Sequence, residues 1–178
     1  MTADLEARLR DLLDKQEIHE TMMRYCRGVD RADGDLVAGV FHEDAVADHG
    51  NSQIHGKDAH EKMPPMGRKM RGGMHFVGNE WIEIFGDVAR AEFYVVVSFE
   101  IENDGVTSTM ARGGRYVDRW ERRDGGPWKI AERRLVSAWD RIDPIVARHP
   151  ARDQYFMGQT VPDDDIYKVL DGFPERPS

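Results

Sequence analysis

Two side chains in this sequence have the types and settings for moving a proton between carbon and an imidazole: Asp30 and His75. Asp30 lies at the margin of an apolar stripe, Ile18, Met22, Tyr25 and Val29, spaced as one face of a helix. It is close to the helix end, just before Asp33-Gly34, so its carboxylate faces the negative end of the helix dipole. That placement suits a partner for a proton-carrying histidine; an Asp-x-x-Asp-Gly run also serves simply to cap the following turn. His75 opens a strand after Gly72-Gly73 and is flanked by Met74 and Phe76. In apolar surroundings an imidazole is either a hydrogen-bonded core group or a neutral base. A carboxylate on Nδ1 would fix the tautomer, stabilise the imidazolium and leave Nε2 as a general base.

Other chemistry finds little footing. There is no phosphate-binding Gly-rich loop, dinucleotide fingerprint, HExxH, cysteine pair or G-x-S-x-G elbow. His49, His55 and His60 are near one another but spaced for no familiar metal site, Asp44, Asp48 and His49 being the least implausible ligands. The expectation is no metal and no cofactor, with side chains alone doing the chemistry. The lone cysteine, Cys26, excludes an internal disulfide and fits a reducing, cytoplasmic setting. A net charge of −8 argues against nucleic acid or an anionic membrane as partner. The N-terminus alternates charges like no signal peptide, and no apolar run approaches membrane-spanning length.

The elements that must hold these groups follow from periodicity. At 178 residues with 40% hydrophobic content, one domain with a substantial core is the simplest reading. Residues 3–29 read as a helix, with Leu5, Leu9, Leu12 and Leu13 leading into the stripe. Asp33 is the N-cap of a second helix carrying Leu36, Val37, Val40 and Phe41, followed by a short strand over 45–49. Residues 57–70 read as helical but interrupted at Pro64-Pro65. Met63 and Met66 beside the break are either adaptable core filler or a deformable lid over an apolar ligand.

From Met74 the period becomes that of a strand, with His75, Val77, Asn79 and Trp81 on one face, so that Asn79 and Trp81 extend the His75 wall. Gly86-Asp87, Asn103-Asp104-Gly105 and Asp124-Gly125-Gly126-Pro127 separate strands over 88–101, 106–122 and 128–140. Helices followed by long hairpins predict an α+β fold, a curved antiparallel sheet packed on N-terminal helices around a conical pocket. Residues 1–140 form this domain. Residues 141–178, proline-rich yet carrying Ile145, Val146, Tyr155, Phe156, Met157 and Leu170, read as an irregular arm with a short helix.

Three blocks, RYCRGVDRADGDLVAGVFHEDAV, MHFVGNEWIEIFGDVARAE and GGRYVDRWERRDGGPWKIAERRL, resemble the SnoaL-like branch of the nuclear-transport-factor-2-like (NTF2-like) superfamily over residues 5–140. The resemblance implies a cone-shaped barrel. Within the superfamily the chain is most similar to cofactor-independent lyases: scytalone dehydratase, hexachlorocyclohexane dehydrochlorinase and bile acid 7α-dehydratase. That similarity implies Asp30 and His75 as the dyad and Tyr25 as a site phenol. It also implies a site arginine on the last strand, Arg133 in one register, with Ser137 at the corresponding place in another. The implied protein is a homotrimeric lyase for a small apolar cyclic or aromatic compound, such as a steroid. Carbon–carbon cleavage releasing formaldehyde and a purely binding cone stay open beside it.

Overall fold

The apolar stripe becomes the buried face of α1, Ala3–Asp30, which starts at Thr2, whose Oγ1 accepts from the Leu5 amide at 3.4 Å. The coordinates are a computed structural model and describe residues 2–169. Ile18, Met22, Tyr25 and Val29 are all buried, whereas Leu5, Leu9, Leu12 and Leu13 are exposed. The helix is anchored where burial starts: Arg122 reaches Asp14 at 2.5 Å and Glu17 at 3.1 Å. At the other end Ala32 takes φ +53° and the Asp33 amide donates back to Gly28 at 2.8 Å, which stops the helix beside Asp30.

Asp33 caps α2, Gly34–Gly39, its Oδ1 accepting from the Leu36 amide at 3.1 Å. The helix is shorter than its apolar spacing predicts. The Ile130 amide donates to the Val40 carbonyl at 2.9 Å, and Phe41 pairs with Ile130, so Phe41 opens strand β1, Phe41–Asp48. Sheet pairing thus overrides a local helical pattern. After β2, Gln53–His55, and one 3₁₀ turn, helix α3, Ala59–Lys69, runs straight through Pro64 and Pro65. The expected interruption does not occur: proline's φ suits a helix, and only two ladder donors are lost. Met63, Pro64 and Gly67 form its buried face. A Cβ on Gly67 would stand 2.6 Å from the Val29 carbonyl oxygen, so glycine is what lets α3 close on the end of α1.

Four long strands follow: β3, Arg71–Phe85; β4, Val88–Asn103; β5, Val106–Arg122; and β6, Trp128–Pro144. With the two short strands they form one sheet in the order β2-β1-β6-β5-β4-β3. The sheet is mixed rather than wholly antiparallel, because β1 runs parallel to β6. It is curved but unclosed, and α1 packs in one core with the buried face of β4, an α+β architecture. The β4 face expected to be apolar is the inner one, with Ala89, Ala91, Phe93 and Val95 buried.

Strand β6 pairs with β5 as far as Pro144, so regular pairing extends past Asp140, where the arm was expected to begin. Beyond it the chain returns to its own barrel. The Val161 amide donates to the Arg31 carbonyl at 2.8 Å, Arg31 pairs with Asp164 at 3.3 Å, and the Tyr167 hydroxyl donates to Asp33 at 2.8 Å. A short helix α4, Asp165–Val169, ends the described chain; Leu170 and the rest of the arm lie outside it.

Candidate active site

The end of α1 and the start of β3 meet at one carboxylate. Asp30 Oδ1 lies 2.5 Å from His75 Nδ1, and Asp30 Oδ2 accepts the His75 backbone amide at 3.0 Å. Both side chains are largely buried, at 7% exposure for His75 and 14% for Asp30. An ionised carboxylate only accepts, so Nδ1 carries the proton and Nε2 keeps its lone pair. The second bond, from the main chain, fixes the carboxylate plane relative to the strand. Imidazole and carboxylate are therefore held by two elements and not by rotamer preference alone.

His75 looks into a cavity of about 290 Å³. Val29, Met63, Met66, Val97, Phe99 and Leu135 supply apolar wall, while Tyr25, His49, Asn51, Ser52, Arg112 and Tyr116 add polar groups beside His75. A larger groove, of about 870 Å³, lies on the other side of Asp30, between the α1 end and the arm. Its charged groups are largely matched to each other, Arg148 gripping Glu100 at 2.6 and 2.8 Å. The smaller space has the apolar lining and the imidazole, so it is the better candidate for a small-molecule site.

The expected residues fall into two groups. Tyr25, His75, Met63 and Met66 line the cavity, with Asp30 behind the histidine. Asn79, Trp81 and Ser137 do not. Between Gly78 and Trp81 strand β3 carries one residue more than its partner, with Asn79 at φ +45°. This bulge reverses the face that alternation predicts. Trp81 consequently stands outside at 48% exposure, and Ile82 and Ile84 turn inward. Ser137 is exposed, next to a second irregularity where β6 pairs with Gly113 and Gly114.

Arg133 is fully buried and does not line the cavity. Its Nε and Nη2 donate to Asp118 at 2.8 and 2.6 Å, and its guanidinium lies 4.4 Å from the Tyr25 ring and 4.1 Å from the Tyr116 ring. It is therefore a support behind two phenols. Burial pushes the Tyr25 hydroxyl up, with Arg133 partly opposing, so this group remains a protonated donor at neutral pH.

Several polar cavity residues were missed as site groups, among them Tyr116, Arg112 and His49. Arg112 shares the inward parity of Met110, Gly114 and Tyr116 on β5, a signal that strand alternation could have supplied. His49 was weighed only as a metal ligand. Burial, reinforced by Arg133, pushes its imidazole down to about 4 from an ordinary 6.5. The sign follows from proton counting: below 6.5 the unfolded chain takes up a proton that folded His49 refuses until about 4. Stability is thus expected to fall by about 3 kcal/mol over that window as pH drops. Denaturant melts at several pH values check it, and His49→Gln should flatten the slope.

N-terminal helices packed on a curved, unclosed mixed sheet make the NTF2-like class of folds. The chain belongs to the SnoaL-like domain family, whose model matches residues 10–134. No curated protein matches the sequence. Among solved structures, a protein of unknown function from Mycobacterium tuberculosis is 25% identical, with a TM-score of 0.60, covering 94% of this chain and 88% of its own. A putative scytalone dehydratase from Novosphingobium aromaticivorans is 22% identical, TM-score 0.63, over 78% of this chain and 97% of that one. A hexachlorocyclohexane dehydrochlorinase from Novosphingobium barchaimii is 18% identical, TM-score 0.66, over 80% and 97%. No helix among the described residues is long and apolar enough to cross a membrane.

Proposed function

We propose that this protein is a cofactor-independent lyase of the dehydratase type, acting on a small apolar cyclic or aromatic compound. The observation that carries the reading is the Asp30–His75 contact of 2.5 Å at the wall of an apolar cavity. An imidazole that lines the cavity with a carboxylate on its Nδ1 is the arrangement a general base needs, which favours catalysis over a purely binding cone.

In the proposed reaction Nε2 of His75 takes a proton from a substrate carbon, and Asp30 balances the resulting imidazolium. The C–H electron pair passes into an enolate-type anion and then forms the new double bond as the neighbouring C–O bond breaks. Tyr25 donates its proton to the departing oxygen, which leaves as water, and the histidine proton returns to the phenolate. Tyr25 and His75 are adjacent, with ring centroids 6.4 Å apart. Atoms balance without oxidant or metal. The test is incubation with a panel of cyclic hydroxy ketones and aromatic diols, followed by mass spectrometry and a formaldehyde assay. Loss of water supports the proposal. Formaldehyde would replace it with carbon–carbon cleavage by the same groups, and tight binding without turnover would replace it with a ligand carrier.

We further propose that the protein works as a homotrimer joined through the outer face of its sheet. Phe76 pairs with Val96, Val96 with Gly113, and Gly113 with Trp139, forming one row across four strands. Phe76, Val96 and Trp139 are 68%, 42% and 47% exposed, a continuous apolar band unusual for a lone domain. Tyr94 joins this face, whereas Trp120 is fully buried against Phe93. Light scattering should give three 20.4 kDa chains, and Phe76→Glu should give one. An unchanged mass for that variant would move the contact elsewhere.

A further inference from the structure

Removing a proton from carbon leaves charge that must be stabilised, and the arginine expected for that task is unavailable. Arg133 spends two nitrogens on Asp118 and is screened from the cavity by the Tyr25 and Tyr116 rings. Among the described residues, one Lys or Arg does line the cavity: Arg112. Its guanidinium has no ion-pair partner among them, and its Nε is buried without a hydrogen-bond partner. Its neighbour across β6, Asp140, is exposed and leaves it unpaired.

Register places this cation in line with the base. His75 pairs with Val97, and Val97 with Arg112, so the three side chains stand at one level on one face of adjacent strands. Two strand spacings, about 10 Å, separate the backbones of base and cation, with only the low Val97 side chain between them. A flat molecule lying over Val97 meets the imidazole at one end and the guanidinium at the other.

We infer that Arg112 is an oxyanion-binding residue of this cavity and that its ligands are flat molecules carrying an enolate- or phenolate-type oxygen at the end remote from the carbon facing His75. The assignment rests on the lyase reading for the role of that oxygen in turnover, but not for its binding. Charge generated at the carbon above His75 reaches Arg112 through a conjugated path, so an oxygen on a neighbouring saturated atom would fall short. A guanidinium in a cavity with apolar walls stabilises such an oxygen far more than it would in water.

The probe is 4-nitrophenol, whose phenolate absorbs visible light while the neutral form does not. Titrated in the presence of excess intact protein, it is expected to ionise at lower pH than in water. Arg112→Gln should abolish that shift and weaken phenolate binding by about tenfold or more, Arg112→Lys should keep part of it, and His75→Ala should leave it in place. Melting curves establish that each variant is folded. If Arg112→Gln is unfolded, the ionisation shift in Arg112→Lys, reduced but present, decides the matter. A probe that does not bind the folded parent, ionises as in water, or ionises identically in parent and both Arg112 variants overturns the assignment. Loss of the shift in His75→Ala alone overturns it too, because the proton would then be passing to the base. Absence of lyase turnover with an intact Arg112-dependent shift would instead refute the proposed reaction and leave the oxyanion site standing.

Discussion

His75→Ala and Asp30→Asn are each expected to lower turnover, on whichever panel compound reacts, by about 10²-fold or more, with little change in melting temperature. The alanine removes the base itself. The asparagine acts through the tautomer: its amide can donate to Nδ1, which moves the ring proton to Nε2 and leaves no lone pair toward the substrate. It also removes the negative charge that balances the imidazolium as the proton arrives. Because the two side chains form one unit through the 2.5 Å contact, the double variant should be scarcely slower than His75→Ala. Independent roles would make the losses multiply instead. Substrate affinity should change much less than turnover, since Asp30 stands behind the ring and Tyr25, Met63 and Arg112 still line the cavity. Steady-state kinetics of the two singles and the double test all of this. Normal turnover in either single variant would remove the dyad from the mechanism.

The dyad was legible before any coordinates because each half has a local signature. Asp30 is readable from a stripe that ends at a turn, and His75 from a period change after two glycines. Their meeting is a property of the tertiary fold, and only the resemblance joined them. The hairpins were also plain, since Gly86 and Gly105 stand at positive φ where the strand pattern breaks. What alternation cannot anticipate is a change of phase. The bulge at Asn79 adds one residue, and every later side chain on β3 changes face, which puts Trp81 outside. Phe41 failed for another reason: its spacing from Val37 and Val40 is helical, but β6 offers it a ladder partner that the local sequence does not contain. The arginine was misread because position on a strand face says nothing about depth. Arg133 and Arg112 both point inward, yet one meets Asp118 in the core and the other meets the cavity.

Arg133→Leu should destabilise the fold by about 3–5 kcal/mol, the cost of leaving a buried carboxylate without its cation. Arg133 and Asp118 are both wholly inaccessible at the side chain, and their two bonds, at 2.8 and 2.6 Å, run between adjacent strands β5 and β6. Burial works against both charges, pushing the Asp118 carboxyl up and opposing ionisation of Arg133, while the contact with each other favours both. We hold the pair to be ionised, because a guanidinium does not give up its proton and presents two donors to the same carboxylate. Asp118→Asn should cost a similar amount, now from a cation stranded between the Tyr25 and Tyr116 rings. Replacing both residues by leucine should recover most of the loss, since no charge then remains in the core. Acidification gives an independent check on Arg133→Leu. Without its cation, Asp118 would bind a proton more tightly in the folded chain than in the unfolded one, a contribution present at low pH and lost as pH rises. The deficit relative to the parent should therefore shrink as pH falls. Denaturant unfolding of the two singles and the double at two pH values measures every part of this. A deficit below about 1 kcal/mol for Arg133→Leu would show that the carboxylate is compensated by something other than the arginine.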